Sequence, residues 1–170
     1  MVLHPDTTRG VDGTGPRERA WLDHVVAEAA RNVEAGGGPF GALVVRDDEV
    51  LAVGVNEVTR SLDPTAHAEV VAIRAACQAL GDFRLTGCVL VASCEPCPLC
   101  LSAAMWARVD RVVYAADRHD AAASGFDDRA FYDVFTSPRE QWPVPVDQLP
   151  HEQRTAPFDA WRRQADRIHY

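Results

Sequence analysis

Apolar residues Trp21, Leu22, Val25, Val26, Ala29, Ala30 and Val33 recur at steps of one, three and four. That spacing predicts an amphipathic helix with one face turned to a core. The helix opens at Pro16, a residue suited to a first turn. It closes at Gly36-Gly37-Gly38-Pro39. Two β-prone runs follow, 41–46 and 50–55, with Asp47-Asp48-Glu49 between them as a tight hairpin. Asp63-Pro64-Thr65 then opens a helix to about Leu80, with Thr65 as N-cap and Gly81 as stop. Residues 88–92 are wholly apolar, as expected of a central strand. A helix from Pro98 to about Arg108 and a strand at 111–115 complete the regular pattern. Residues 136–156, rich in Pro and Gln, read as irregular, and 157–168 as a last helix carrying Phe158 and Trp161.

The order α-β-β-α-β-α-β predicts a three-layer α/β/α sandwich around a mixed central sheet. There is no internal repeat and no linker. The expected organisation is a flexible N-terminal tail, 1–16, and one domain, 17–170.

Charge narrows the ligand. The chain has 17 Lys and Arg against 25 Asp and Glu, a formal net charge of -8. Binding of a polynucleotide needs a basic face to displace counterions, so the balance argues against nucleic acid. The polar start of the chain lacks the apolar core of a secretory leader, and no apolar run is long enough to cross a membrane. The expected setting is cytoplasmic and reducing. Clustered cysteines there bind metal or catalyse more often than they form disulfides.

Three of the cysteines, Cys94, Cys97 and Cys100, fall close together. Pro96-Cys97-Pro98-Leu99-Cys100 offers two sulfurs, and His67-Ala68-Glu69 offers an imidazole. One nitrogen and two thiolates suit tetrahedral zinc and leave its fourth position open, the mark of a catalytic rather than a structural site. Both motifs lie at expected helix starts, where unpaired N–H groups favour thiolates. Glu69 is not needed as a ligand and can carry protons instead. A redox pair, or half of a structural four-cysteine site drawing on Cys77, Cys88 or Cys94, is the alternative for Cys97 and Cys100. No second C-x-x-C exists, and a redox pair leaves His67-Ala68-Glu69 unexplained. Cys77 and Cys88 read as small core residues, and Cys94 as a buried structural one.

H-x-E followed by P-C-x-x-C is the zinc deaminase signature. On those residues the chain resembles the cytidine deaminase superfamily. Within it the chain looks most like the bacterial guanine deaminases, over about residues 20–170. The carrying segments are Gly38-Pro39-Phe40-Gly41-Ala42, Asp63-Pro64-Thr65-Ala66-His67-Ala68-Glu69 and Ser93-Cys94-Glu95-Pro96-Cys97-Pro98. Tyr114-Ala115-Ala116-Asp117, Ala122-Ala123-Ser124-Gly125-Phe126-Asp127-Asp128 and Ile168-His169-Tyr170 add to them. Arg118-His119 departs from the pattern.

The resemblance implies hydrolysis of guanine to xanthine and ammonia, with one zinc held by His67, Cys97 and Cys100. Glu69 would be the proton carrier. Asn56 would bond the base, Phe40 stack on it, and Asp128 meet its polar edge and help move protons. Contacts near Ala68 would stabilise developing charge, and Tyr170 would close the pocket. The resemblance also implies a homodimer that exchanges a C-terminal segment, about 136–170. Other readings of the same motif are a deaminase of guanosine, cytidine or an aminotriazine, a tRNA adenosine deaminase, and a zinc-stabilised module without catalysis. Arg162, Arg163 and Arg167, flanked by Asp159 and Asp166, make a poor basic patch for tRNA.

Overall fold

The structure, a computed structural model, describes residues 15–169. Most of the expected N-terminal tail, and Tyr170 with its expected role, lie outside these residues.

Four strands form one sheet in the order β2-β1-β3-β4. They are β1 (Gly41–Arg46), β2 (Glu49–Val55), β3 (Cys88–Cys94) and β4 (Arg111–Ala116). β1 runs antiparallel to both β2 and β3, whereas β3 and β4 are parallel, so the sheet is mixed. The β1–β2 connection is shorter than the sequence suggests. Asp47 and Asp48 alone make the turn, at φ 48° and 70°, and Glu49 already pairs with Arg46. Left-handed backbone at both turn residues matches the twist of the flanking strands.

Pleating splits β1 between two cores. Leu43 and Val45 join Val91 beneath α1 (Pro16–Glu34), which contributes Val25. Ala42 and Val44 join Leu90 on the other face, under α3 (Ala68–Leu80) and α4 (Pro98–Trp106). The result is the expected sandwich. The stripe on α1 is narrower than its apolar pattern: Val26 and Val33 are exposed, and the polar Asn32 is buried.

α3 lies close on β2 because both use small residues. A Cβ placed on Gly54 would stand 2.2 Å from the Ala68 carbonyl oxygen and 2.5 Å from the Ala72 nitrogen. Both are helix backbone, which cannot swing aside. Gly54→Ala is therefore expected to lower stability by ~1–3 kcal/mol and to lift the first turn of α3 from the sheet. Thermal unfolding checks the first effect. A fall in metal affinity checks the second, because that turn carries His67 and Glu69.

Two helix boundaries differ from expectation. α3 starts at Ala68 with His67 as its N-cap, not at Thr65. The Thr65 amide and hydroxyl both donate to Asp63 Oδ1, at 2.8 and 2.7 Å, so Thr65 serves a local turn instead. Gly81, at φ 65°, does end α3. The last helix, α7 (Ala156–Arg163), is shorter than 157–168.

Three short helices were not expected: α2 (Val58–Ser61), α5 (Arg118–Ala123) and α6 (Arg129–Val134). A 3-10 turn at Arg139–Gln141 interrupts the irregular stretch. Among described residues after Ala107, none is buried. Phe131, Phe135, Leu149 and Phe158 are all largely exposed.

Candidate active site

The site forms at one edge of the sheet. Gly41 pairs with Val55, Ala42 with Ala92, and Cys94 with Ala116. The start of β1 and the ends of β2, β3 and β4 therefore share an edge. Phe40 precedes β1, Asn56 follows β2, and α4 opens beyond β3. The Asn56 amide donates to the Phe40 carbonyl at 3.0 Å.

Two helix N-termini converge there. His67 caps α3 and Cys97 caps α4, both in extended backbone. Neither side chain makes the usual capping bond to its own helix. Instead both turn towards each other. His67 Nδ1 lies 3.6 Å from Cys97 Sγ and 3.5 Å from Cys100 Sγ. Zinc–sulfur bonds of about 2.3 Å and a zinc–nitrogen bond of about 2.1 Å, set at tetrahedral angles, give a nitrogen–sulfur edge of about 3.6 Å. Both nitrogen–sulfur edges thus already have the length that a zinc site requires, and among the described residues no other such cluster occurs.

The protons on these groups tell the same story. The Cys97 thiol falls to about 4, chiefly through the hydrogen bond from Cys100, with His67 adding to it against burial. Cys100 moves up because it holds the proton shared with that thiolate. His67 moves up because the Cys97 thiolate faces it. Three donors crowd about one point and hold protons that a divalent cation would displace.

Glu69, in the first turn of α3, is only 8% exposed. Burial pushes its carboxyl up, partly opposed by hydrogen bonds to its charged form. A buried carboxyl beside a cation site is poised to exchange protons rather than to remain a fixed charge.

A cavity of about 550 Å³ opens on this edge. Phe40, Asn56, His67, Glu69, Cys97 and Asp128 all line it. Cys100 is fully buried behind the lining. The Ala68 side chain is buried in the core, so it can serve the site only through its backbone. Of two adjacent aspartates, Asp127 is held by Arg129 through bonds of 2.7 and 2.6 Å, and its carboxyl falls to about 2. The Asp128 carboxyl moves up instead, through burial first and then the Cys97 thiolate.

Several lining residues went unrecognised in the sequence. Phe126 packs edge-on against Phe40, with centroids 5.0 Å apart. Cys94 is not a buried structural residue: it is half-buried and lines the cavity, its thiol 3.6 Å from the Asp117 carbonyl. Cys88 is core as expected, while Cys77 packs at the core's margin. The Arg118 amide and Nε donate to Glu95 Oε2 at 3.1 and 2.9 Å, and a terminal nitrogen reaches Oε1. Behind the cavity, Asn32 Nδ2 donates to the Gly38 and Asn56 carbonyls at 2.8 and 2.9 Å, tying two walls together. A polar residue within an apolar stripe was the one available signal for it.

Residues 16–116 match the cytidine and deoxycytidylate deaminase zinc-binding region. The chain belongs to this deaminase family. The family member is 48% identical to the guanine deaminase of Bacillus subtilis over 151 residues, 88% of this chain and 97% of that one. The crystal structure of that enzyme superposes with a TM-score of 0.87, covering 89% of this chain and 98% of the other. A guanine deaminase from Nitrosomonas europaea matches at 34% identity and a TM-score of 0.62, over 67% of this chain and 65% of that one. The tRNA-specific adenosine deaminase of Aquifex aeolicus is 37% identical over 108 residues, 62% of this chain and 72% of its own. The likeness to the tRNA enzyme covers less than two thirds of this chain. The likeness to the Bacillus enzyme spans nearly the whole chain.

Proposed function

We propose that this deaminase hydrolyses guanine to xanthine and ammonia. The observation that carries this is the convergence of His67, Cys97, Glu69 and Asp128 on one cavity walled by Phe40 and Phe126, with Cys100 buried just behind it as the third member of the donor cluster. The 48% identity to the Bacillus enzyme over 88% of this chain supports guanine as the substrate.

His67, Cys97 and Cys100 would hold the zinc. When bound, zinc makes water acidic enough to react near neutral pH. Phe40 and Phe126 offer apolar surface to a flat ring, and Asn56 offers its side chain to the ring's edge. Glu69 takes a proton from the water that attacks C2, and passes it to a ring nitrogen. The proton of the new C2 hydroxyl then moves through Glu69 to the amino group, the C2–N bond breaks, ammonia leaves and the C2 oxygen becomes the carbonyl of xanthine, with Asp128 holding the polar edge of the base and assisting the transfer. N–H groups at the start of α3, from Ala68 onward, face developing negative charge.

Ammonia release by zinc-loaded protein tests the reading against guanine, guanosine, adenine, cytosine, cytidine, an aminotriazine and tRNA. Guanine should turn over well ahead of the rest. Inert guanine beside an active nucleoside or triazine would replace the substrate. Ammonia from tRNA alone would move the chain to the RNA-editing branch, which its charge of -8 disfavours.

We also place the working form as a homodimer in the cytoplasm. The unburied C-terminal region, with Phe131, Phe135, Leu149 and Phe158 open to solvent, supports a second copy as the missing cover. An exchanged segment of about 136–170 would bring Tyr170 to a pocket. Sedimentation equilibrium should give twice the chain mass of 18.6 kDa. A stable monomer of full activity would contradict this. No helix of the described residues is long and apolar enough to cross a membrane.

A further inference from the structure

We propose that Arg118 is a positioning residue, clamping the segment that carries Asp128 to the loop that carries Cys97. The inference rests on the role proposed above for Asp128. Arg118 opens α5, and its side chain grips both carboxylate oxygens of Glu95. Glu95 stands two places before Cys97, in the loop between β3 and α4. The guanidinium carbon of Arg118 lies over the Tyr132 ring, 3.6 Å from its centroid. Tyr132 belongs to α6, whose N-cap is Asp128. Its hydroxyl donates to the Pro96 carbonyl at 2.9 Å, so α6 is bonded to the same loop a second time.

Asp128 needs such a clamp. It sits in the part of the chain where no described residue is buried, so core packing does not fix it. α6 has only 6 residues and no side-chain cap. A helix that short does not hold itself. The three contacts just described form a continuous link from Asp128 through Tyr132 and Arg118 to the loop holding Cys97. A planar fork that binds a carboxylate at two points while stacking on an aromatic ring is a geometry that lysine cannot copy.

Steady-state turnover of guanine by the full-length, zinc-loaded chain tests the clamp. Arg118→Met should lower kcat ~10- to 100-fold, as expected for a displaced reacting group, and change KM less. Zinc content should stay at the wild-type level. Arg118→Lys, which keeps a cation near Tyr132 without the two-point grip, should recover part of the loss. In an Asp128→Asn background, Arg118→Met should cost about twofold or less, because the residue it positions is already disabled. Wild-type kcat in Arg118→Met beside a crippled Asp128→Asn would overturn the clamp, and so would losses that multiply in full. Complete rescue of Arg118→Met by added zinc would assign Arg118 to metal retention and overturn it too. Wild-type kcat in Asp128→Asn itself would instead remove the proposed role of Asp128, and the clamp with it.

Discussion

Glu69→Gln is expected to keep its zinc and to lose turnover of guanine by ~10²- to 10⁴-fold, the usual share of a positioned acid–base group. The substitution keeps the side chain's shape in a site that is 8% exposed, so packing is little disturbed. What changes is chemistry. The amide cannot take a proton from water or return it to the ring. Burial already holds the Glu69 carboxyl above its ordinary range, which suits a group that must both accept and donate. The loss should fall on kcat more than on KM, because the proton moves only as the bond forms. Metal analysis and initial rates on the same preparation check both halves. Normal turnover in zinc-replete Glu69→Gln protein would remove Glu69 from the reaction.

Cys97→Ser is expected to empty the metal site without unfolding the domain. A serine hydroxyl stays protonated near neutral pH, so the site loses one of its two thiolates. Zinc affinity should fall by more than the ~10- to 100-fold that loss of a group merely orienting a ligand costs. Deaminase activity should fall with it. Stability of the metal-free protein should move the other way. Cys97 is the N-cap of α4 and makes no capping bond, whereas serine is among the best N-caps. Metal-free Cys97→Ser should then be more stable than metal-free wild type by ~0.5–1 kcal/mol. Chemical denaturation of both apo proteins, beside zinc titrations, separates the two effects. A variant that still binds zinc as tightly as wild type would show that Cys97 is not a ligand.

The sandwich was legible because its core elements are long and periodic. β1 and β3 are nearly all apolar, and α3 carries small residues on the face laid against β2. The donor set was legible because ligand chemistry restricts residue types and spacing. What the sequence hid is mostly local competition. Thr65 has the composition of a cap, yet Asp63 captures both its donors, which leaves His67 at the helix start. That shift of the helix start is what frees the imidazole to face the sulfurs. α5 and α6 were missed because 6 residues carry no periodic signal. The α5 start depends instead on Asp117, whose side chain accepts from the His119 and Asp120 amides. Long-range pairs left no trace at all. Glu95 and Arg118 lie 23 residues apart, and Tyr132 and Pro96 lie 36 apart. Only the fold brings them together at the cavity wall. The family resemblance supplied Phe40, Asn56 and Asp128, and the structure places all three on the lining.

Zinc titration of metal-stripped protein, read as ammonia released from guanine, tests most directly whether His67, Cys97 and Cys100 build a working centre. Activity should be absent at the start, rise in proportion to added zinc, and level off at one equivalent per chain. Full activity before any metal is added, or none after the site is filled, would contradict it.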